Sequence, residues 1–331
     1  MNDLAARIDR LSPEKRQLLE RMLEQKGVNL SGLKAPTAQA DPAESVPPEP
    51  VDSPQGMPRV AAETPDAAQA DASAGGVKDQ VRSFYDSVSQ QLTGSIYGRY
   101  ALFLNYGYVV DGSPQYAAVK LPEHVFNRNA AQLVLEVIGQ QDLAGRRVLD
   151  VGCGRGGAVD LVARYFPAKE IVGVDLSPQA IAFCRSYYNH PHATFRVGDA
   201  EELPLAADSV DVVLNIESSH SYPNIPGFYR EVYRVLRPGG FFLYADNLEV
   251  ALMRSCRSLL QAMGFDILLE RDITANVLLS CDQQAMRNLQ SFGEGDPAVL
   301  DNFLAVPGSE IYQNMLNGRS AYQVFRMQKA R

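Results

Sequence analysis

The pattern of hydrophobic and polar positions divides the chain into three parts. Apolar residues recur at helical spacing near the N-terminus, where two short amphipathic stretches end at Gly27. A stretch rich in Pro, Ala and acidic residues follows, which has no apolar period and contains no Phe or Tyr. Such a composition cannot bury enough surface to offset the entropy of ordering. The pattern therefore predicts a helical segment over residues 1–30, a disordered linker over 31–76 and a folded domain over 77–331.

Within the predicted domain, β-branched runs alternate with amphipathic stretches, which indicates a parallel sheet with helices on both faces. Helical segments are expected before the first strand, at residues 77–90, 98–108 and 127–139. The predicted strands lie at 147–152, 170–176, 193–198, 210–217, 240–246, 265–271 and 322–329. Helices are predicted between them at 157–166, 178–189, 226–236 and 249–263, with a mostly helical insertion at 274–317 before the last strand.

Residues 147–157, RVLDVGCGRGG, carry the strongest local signal. A buried strand turns on three alternate glycines, Gly152, Gly154 and Gly156, into a helix. Glycines let a ligand approach the backbone where no Cβ stands in the way. The free N–H groups of the helix N-terminus then point at that ligand. The stretch predicts a site for a nucleotide-type cofactor.

Gly152, Gly154 and Gly157 also satisfy the dinucleotide pattern G-x-G-x-x-G, which is weak on its own. Asp175 closes the next strand, where an acid would bind ribose hydroxyls in either interpretation. Asp150, two residues before the first glycine, places a carboxylate where a dinucleotide would bring its pyrophosphate. Asp199 adds another acid at the end of the third strand. These acids favour a cofactor without phosphate.

Together with residues 209–242, which end in LRPGG, these features resemble the class I S-adenosylmethionine (SAM) methyltransferases. The resemblance is strong over residues 143–247. It implies an α/β, Rossmann-like sheet that is mostly parallel with an antiparallel last strand, a helical N-terminal cap and a helical insertion. SAM carries an ammonium and a sulfonium, which suit surrounding carboxylates. Tyr85 and Tyr106 of the cap are expected either to contact SAM or to serve as packing aromatics.

The resemblance also assigns the two ends of the cofactor. At the methionine end it implies Asp150, Gly152, Cys153 and Gly154, with Asn215 near the sulfonium.

At the other end, the resemblance implies that Asp175 binds the ribose hydroxyls and that Leu176 lies beside the adenine. Asp199 is expected to accept from the adenine amino group, and Ala200 to contribute backbone contacts.

His220 and Asp246 follow two strands expected to be neighbours, at the sheet edge where ligands bind. Methyl transfer to a hydroxyl needs a base, and histidine has a suitable pKa. A carboxylate at its far nitrogen would fix the tautomer. The alternatives are a polar loop residue for His220 and, for Asp246, a cap on the helix beginning near Leu248.

The block IESSH…YAD resembles sugar O-methyltransferases, in which a histidine and an aspartate serve as base and partner. NYGY, DITANV, PGSEIY and the closing AYQVFRMQK resemble bacterial secondary-metabolite methyltransferases of the phthiotriol dimycocerosate and Adda type. That likeness extends from about residue 81 to the end. It implies O-methylation of a polyketide- or nonribosomal-peptide-type hydroxyl. C-methylation at the same site, with His220 as base, and a non-catalytic docking protein are the alternatives.

The composition limits which binding partners and which cellular compartment we expect. The net charge of −8 argues against nucleic acid as a binding partner. No apolar run reaches the roughly twenty residues that a membrane span needs. Without a leader sequence, we expect a cytoplasmic protein with four reduced cysteines. The acid and histidine spacings indicate no metal.

The segment LSPEKRQLLERMLEQKG near the N-terminus resembles docking helices of nonribosomal peptide and polyketide synthases. A synthase partner through residues 1–30 is therefore expected, with a substrate that is either a free small molecule or carrier-bound.

Overall fold

The computed structural model describes residues 67–94, 98, 100–112, 116, 119–122, 125, 127–291 and 302–331. The predicted N-terminal segment over residues 1–30 lies outside the described residues, as does the predicted linker up to residue 66.

The elements follow the predicted alternation of strand and helix. The helices are α1 (Ala67–Gly94), α2 (Arg128–Ile138), α3 (Gly157–Tyr165), α4 (Pro178–Tyr187), α5 (Ile225–Val235), α6 (Val250–Ala262), α7 (Thr274–Ser291) and α8 (Glu310–Leu316). The strands are β1 (Arg147–Val151), β2 (Glu170–Asp175), β3 (Ala193–Val197), β4 (Val210–Ile216), β5 (Leu236–Glu249), β6 (Phe265–Asp272) and β7 (Ser320–Lys329).

These strands form one seven-stranded sheet in the order β3-β2-β1-β4-β5-β7-β6. The first five are parallel, and β7 runs antiparallel to both of its neighbours, β5 and β6. The strand order reverses at β1, so the carboxyl ends of β1 and β4 border the crevice where such sheets bind ligands. The predicted fold class, with its antiparallel last strand, is confirmed.

Both faces of the sheet are covered because its central strands β1, β2 and β4 are buried on both sides. Leu133 of α2, Val159 of α3 and Ile181 of α4 belong to the apolar core of one face. Phe228 of α5 and Met253 of α6 belong to the core of the other. A sheet buried in this way holds its strand ends rigidly, which fixes the loops that follow them.

Two local predictions differ from the structure. Helix α1 begins at Ala67, so residues 67–76, assigned to the linker, are helical; alanine, with the highest helix propensity, is frequent there. Residues 101–110 form no helix. Their backbone groups bond elsewhere, since Gly157 N–H donates to Leu102 O at 3.1 Å and Tyr106 N–H donates to Glu217 Oε2 at 3.0 Å.

Among the helices that the structure describes, none combines the length and apolar character needed to cross a membrane.

Candidate active site

A deep cavity opens at the carboxyl ends of β1 to β4, where the sequence places its cofactor and catalytic residues. Of the predicted cofactor residues, nine line this cavity: Asp150, Gly152, Cys153, Gly154, Asp175, Leu176, Asp199, Ala200 and Tyr106. His220 lines it as well. Helix α1 covers the cavity, and its Lys78 and Tyr85 form part of the wall.

The glycine turn after β1 allows neighbouring groups to lie close to its backbone. Gly152 has φ +72°, and a Cβ there would lie 2.4 Å from Ser218 Oγ. Gly154, at φ +51°, donates its N–H to Asp175 Oδ2 at 2.7 Å. The turn after β1 is therefore tied directly to the acid that closes β2.

Asp150 is a buried carboxylate with an unsatisfied oxygen. Its Oδ2 has no hydrogen-bond partner among the described residues. Burial, with a smaller contribution from the charge of Asp175, raises the pKa of Asp150 to about 8. An unpaired acid in this position fits a cationic ligand, because a positive charge would stabilise the ionised form. The donor set thus fits SAM, whose ammonium and sulfonium give it a net positive charge.

The acids predicted to bind the nucleoside already have partners within the chain. Asp175 Oδ1 accepts from Ser177 N–H at 2.9 Å. Burial nevertheless raises the pKa of Asp175, because it outweighs the hydrogen bonds from Ser177 and Gly154. Asp199 Oδ2 accepts from Lys78 Nζ at 2.7 Å, and the same ammonium lies 2.6 Å from Glu201 Oε2. Helix α1 is therefore latched to the loop after β3.

Asn215 does not line the cavity, contrary to the predicted place beside the sulfonium. It is fully buried on β4, and its Nδ2 donates to Val151 O at 2.9 Å and to Ser218 Oγ at 2.7 Å. Strand alternation puts Asn215 and Ile216 on opposite faces of β4, and Ile216 lines the cavity. Glu217 follows the strand at φ +55° and lines the cavity as well. Asn215 supports the wall from behind.

His220 and Asp246 form a hydrogen-bonded pair, with Nδ1 and Oδ1 2.8 Å apart. Asp246 is fully buried on β5 and also accepts from Ser219 Oγ, from His220 N–H and from Asn247 N–H. It caps no helix, because α6 begins at Val250 behind Glu249. Of the alternatives for these two residues, the helix cap is therefore wrong.

The Asp246 carboxylate requires Nδ1 of His220 to carry the proton, which leaves Nε2 as the acceptor. Burial alone would lower the pKa of His220. The attraction and hydrogen bond from Asp246, together with the charge of Glu217, outweigh burial and raise it. The arrangement can take a proton from a molecule in the cavity and stabilise the resulting imidazolium.

Several residues that line this cavity were not predicted, and two of them, Glu217 and Lys78, are charged and central to the site. Glu217, at φ +55°, follows β4 directly. Its position was a usable signal, because the acids at the ends of other strands were predicted as site residues and Glu217 lies three residues before His220. Lys78 gave no such signal, because only the packing of α1 brings it to Asp199, 121 residues away.

The remaining described histidines lie away from the cavity lining. His190 Nε2 lies 2.6 Å from Asp160 Oδ1 on the outer side of α3. In the described ranges, no group of three His, Cys, Asp or Glu residues could hold a metal ion.

Comparison with known proteins identifies the class of site. The methyltransferase domain family matches residues 149–244. A fatty-acid O-methyltransferase of Mycolicibacterium smegmatis is 34% identical over 226 residues, which cover 68% of this chain and 82% of that protein. A probable phthiotriol/phenolphthiotriol dimycocerosates methyltransferase 2 of Mycobacterium ulcerans is 43% identical over 143 residues. That match covers 43% of this chain and 55% of the relative.

Among solved structures, the cyclase SpnF is similar with a TM-score of 0.58 and 21% sequence identity. The match covers 76% of this chain and 96% of that structure. At this identity the likeness concerns the fold alone, and a fold hosts more than one chemistry. The chemistry of this chain has to be argued from its own site.

Proposed function

This chain belongs to the SAM-dependent methyltransferase family that includes the M. smegmatis fatty-acid O-methyltransferase, and from that premise we propose that it methylates a hydroxyl oxygen. The acceptor is a secondary metabolite of polyketide, nonribosomal-peptide or related origin. The observation that carries the oxygen assignment is the His220–Asp246 pair beside the cofactor cavity.

Bound SAM supplies an electrophilic methyl group on a sulfonium. The chain supplies the proton acceptor, because an alcohol is a poor nucleophile until a base takes its proton. Nε2 of His220 receives this proton, while Nδ1–H continues to donate to Asp246. The four hydrogen-bond donors around Asp246 hold the carboxylate in place, so the ring is oriented before the acceptor binds.

The cofactor-binding residues would each hold a different part of SAM. Asp150 and the backbone at Gly152, Cys153 and Gly154 would hold the methionine end of SAM. Asp175 would bind the ribose hydroxyls.

Leu176 and Ala200 would border the adenine, and Asp199 would accept from its amino group while keeping Lys78 as a second partner. Tyr106 and Tyr85 close the cavity from the cap.

A fatty acid, as in the name of the M. smegmatis relative, would present a carboxylate as the oxygen nucleophile. The charges in this cavity oppose that choice. Asp150, Asp175 and Glu217 are in the wall, whereas Lys78 is the one Lys or Arg among the described lining residues. Lys78 is already paired with Asp199 and Glu201 at the adenine end. A carboxylate acceptor would therefore find no unpaired Lys or Arg among the described lining residues, and a neutral hydroxyl needs none.

The apolar part of the wall fits an acceptor with a hydrocarbon portion. It includes Val81, Phe103, Leu104, Val134, Ile216 and Phe303. A lipid-like or polyketide chain could bury its surface there, while its hydroxyl meets His220. C-methylation would use the same base and remains the alternative that product analysis decides.

The test is methyl transfer from labelled SAM to matched ten-carbon acceptors: an alcohol, a carboxylic acid and an enolisable ketone. We expect an ether product from the alcohol, with kcat lowered about 10²–10⁴-fold in His220→Ala. His190→Ala is the matched control, since His190 pairs with Asp160 outside the cavity lining. Label on carbon, a methyl ester as the preferred product, or full turnover in His220→Ala would contradict the proposal.

A further inference from the structure

Glu217 is held in an unusual backbone conformation at the end of β4. Its φ of +55° lies in the left-handed region, which non-glycine residues occupy only with backbone strain. The Glu217 N–H donates to Ala245 O at 2.8 Å, so the neighbouring strand β5 fixes the bend. The bend directs the side chain into the cavity wall. Such strain persists where the surrounding structure imposes it, and it concentrates at functional positions.

The carboxyl group of Glu217 is oriented by two donors on one oxygen. Oε2 accepts from Tyr106 N–H at 3.0 Å and from the Tyr322 hydroxyl at 2.8 Å. Oε1 takes part in neither bond. Burial raises the pKa of Glu217 to about 8, although both hydrogen bonds and His220 oppose the rise. Around neutral pH the group therefore exists in both forms and can donate as well as accept.

The sheet order places this carboxyl on the acceptor side of the cavity. The glycine turn follows β1, and the acids at the nucleoside end follow β2 and β3, on one side of β1. Glu217 follows β4 on the opposite side, and its partner Tyr322 belongs to β7, two strands further out. His220 is three residues beyond Glu217 on the same loop.

We propose that Glu217 binds a second hydroxyl of the acceptor, on the carbon adjacent to the methylated position or on the next one. This inference rests on the proposed O-methylation and specifies its substrate class as a diol or longer polyol. A hydroxyl both donates and accepts, which matches a carboxyl group fixed through one oxygen. A mono-alcohol would leave Glu217 Oε1 desolvated without a partner, and a site of this kind discriminates against the analogue that lacks the group.

The experiment compares three ten-carbon acceptors: the secondary decanol, the vicinal diol, and the diol with one carbon between its hydroxyls. Affinity for the enzyme loaded with S-adenosylhomocysteine is measured by calorimetry, and kcat/KM with SAM is measured separately. We expect one of the diols to exceed the mono-alcohol by about 10–100-fold in both measurements for the wild type. Glu217→Leu should bring this ratio close to one, and Glu217→Gln should retain part of it, because an amide still donates and accepts.

Two further variants complete the comparison. Tyr322→Phe removes one donor to Glu217 Oε2 and should reduce the ratio without changing chain packing, so it carries the test if Glu217→Leu does not fold. Glu270→Gln is the matched control, because Glu270 pairs with Arg257 on the exposed side of β6. His220→Ala should lower turnover of all acceptors and leave the affinity ratio intact.

Equal binding of diols and mono-alcohol by the wild type would overturn the proposal, as would a ratio unaffected by Glu217→Leu and Tyr322→Phe. Failure of the loaded wild type to bind either diol would overturn it too. These results differ from a failure of the proposed function, which would appear as label on carbon or on a carboxylate whatever the ratio.

Discussion

Arg155, inside the glycine turn, donates two hydrogen bonds from Nη1 to Ser89 of α1, to the backbone oxygen at 3.0 Å and to the hydroxyl at 3.2 Å. The same guanidinium donates to Ala101 O at 2.9 Å and to Gly98 O at 2.8 Å. It lies over the ring of Phe183, 3.5 Å from the centroid. One fully buried side chain therefore joins the cap, the segment after it and the cofactor turn.

Replacing Arg155 should release the cap. In Arg155→Met, the carbonyl groups of Ala101 and Gly98 lose a donor, at about 1–3 kcal/mol each when no water replaces it, while Ser89 O keeps the Thr93 hydroxyl. We expect destabilisation of about 2–5 kcal/mol, from these two carbonyl groups and from the lost contact with the Phe183 ring. Denaturant unfolding measures the loss, and limited proteolysis should show earlier cleavage within α1.

Arg164→Met is the matched control for this variant. The Arg164 side chain is exposed, and its partner Asp160, one turn away on α3, keeps His190 as a second partner, so the loss should be less than about 1 kcal/mol. Similar losses in the two variants would show that Arg155 has no special role in holding the cap.

Arg155 also shows why the sequence predicts the sheet better than the cap. Strands such as β1 and β2 can be predicted from their continuous apolar runs and from the glycines and acids that follow them. The non-helical course of residues 101–110 depends instead on partners distant in sequence, 54 residues away for the bond from Arg155 to Ala101. Local pattern favours a helix there, and tertiary hydrogen bonds override it.

The site residues likewise fall into those that sequence motifs predict and those that only the tertiary structure shows. Asp150, Asp175 and His220 lie in motifs with fixed spacing, so their type and position are visible in the sequence. Asn215 was misplaced because one residue of strand alternation decides between wall and interior. Lys78 could not be found, because nothing in its neighbourhood distinguishes it from other exposed lysines on a helix.

Lys78 should control how long the cofactor stays bound. Its ammonium joins α1 to Asp199 and Glu201, where we propose that the adenine binds. Lys78→Met should raise the dissociation rate of SAM about two- to five-fold, as expected for loss of a partly exposed ion pair worth about 1 kcal/mol or less. Stopped-flow displacement measures this rate. Arg82→Met, which breaks an exposed pair with Asp79 on the same helix, is the control.

Lys78→Arg should restore the wild-type rate. Slower dissociation in Lys78→Met would point the other way, since it would mean that Lys78 competes with the adenine amino group for Asp199.

The segment before α1 should be dispensable for catalysis on a free substrate. We predict that residues 1–30 dock on a synthase and that the following Pro/Ala/acid-rich stretch acts as a tether. Deleting residues 1–66, which stops where α1 begins, should leave SAM affinity, the melting temperature and kcat on a free alcohol nearly unchanged. Calorimetry and thermal unfolding check this expectation. A truncated protein that melts several degrees lower would show that the segment packs on the domain.

Asp150 should make cofactor binding depend on pH. Its pKa of about 8 means that most molecules carry a proton on Asp150 at pH 6 to 7. A cationic cofactor favours the ionised form, so binding must release this proton below pH 8. The affinity for SAM should therefore rise with pH up to about 8 and then level off.

The matched variant Asp150→Asn removes the titrating group and should flatten this dependence, with weaker binding at high pH. Calorimetry at several pH values measures both proteins, and their difference cancels the titration of SAM itself. S-adenosylhomocysteine, which lacks the sulfonium charge, should show a smaller slope. A wild type and an Asp150→Asn variant with parallel profiles would refute the assignment.

The pH dependence of turnover should identify His220 as the base and Asp246 as its partner. The base form of His220 is required, so kcat should fall as pH drops below the His220 pKa. Asp246 raises that pKa, so the fall should occur above the ordinary histidine value of about 6.5. In Asp246→Asn the attraction disappears and burial remains, which should move the acidic limb to lower pH. The plateau should also fall, about 10²-fold or more, because the amide can favour the wrong tautomer.

A merely structural Asp246 would lower stability without moving the pH limb, so the profile separates the two roles. Asp266→Asn, at a position of β6 exposed to solvent, is the control and should leave the profile unchanged. Because Asp246 holds four donors in a buried place, unfolding of Asp246→Asn must be followed in parallel. If the folded variant keeps the wild-type acidic limb, Asp246 does not set the proton affinity of His220, and the catalytic pair has to be reassigned.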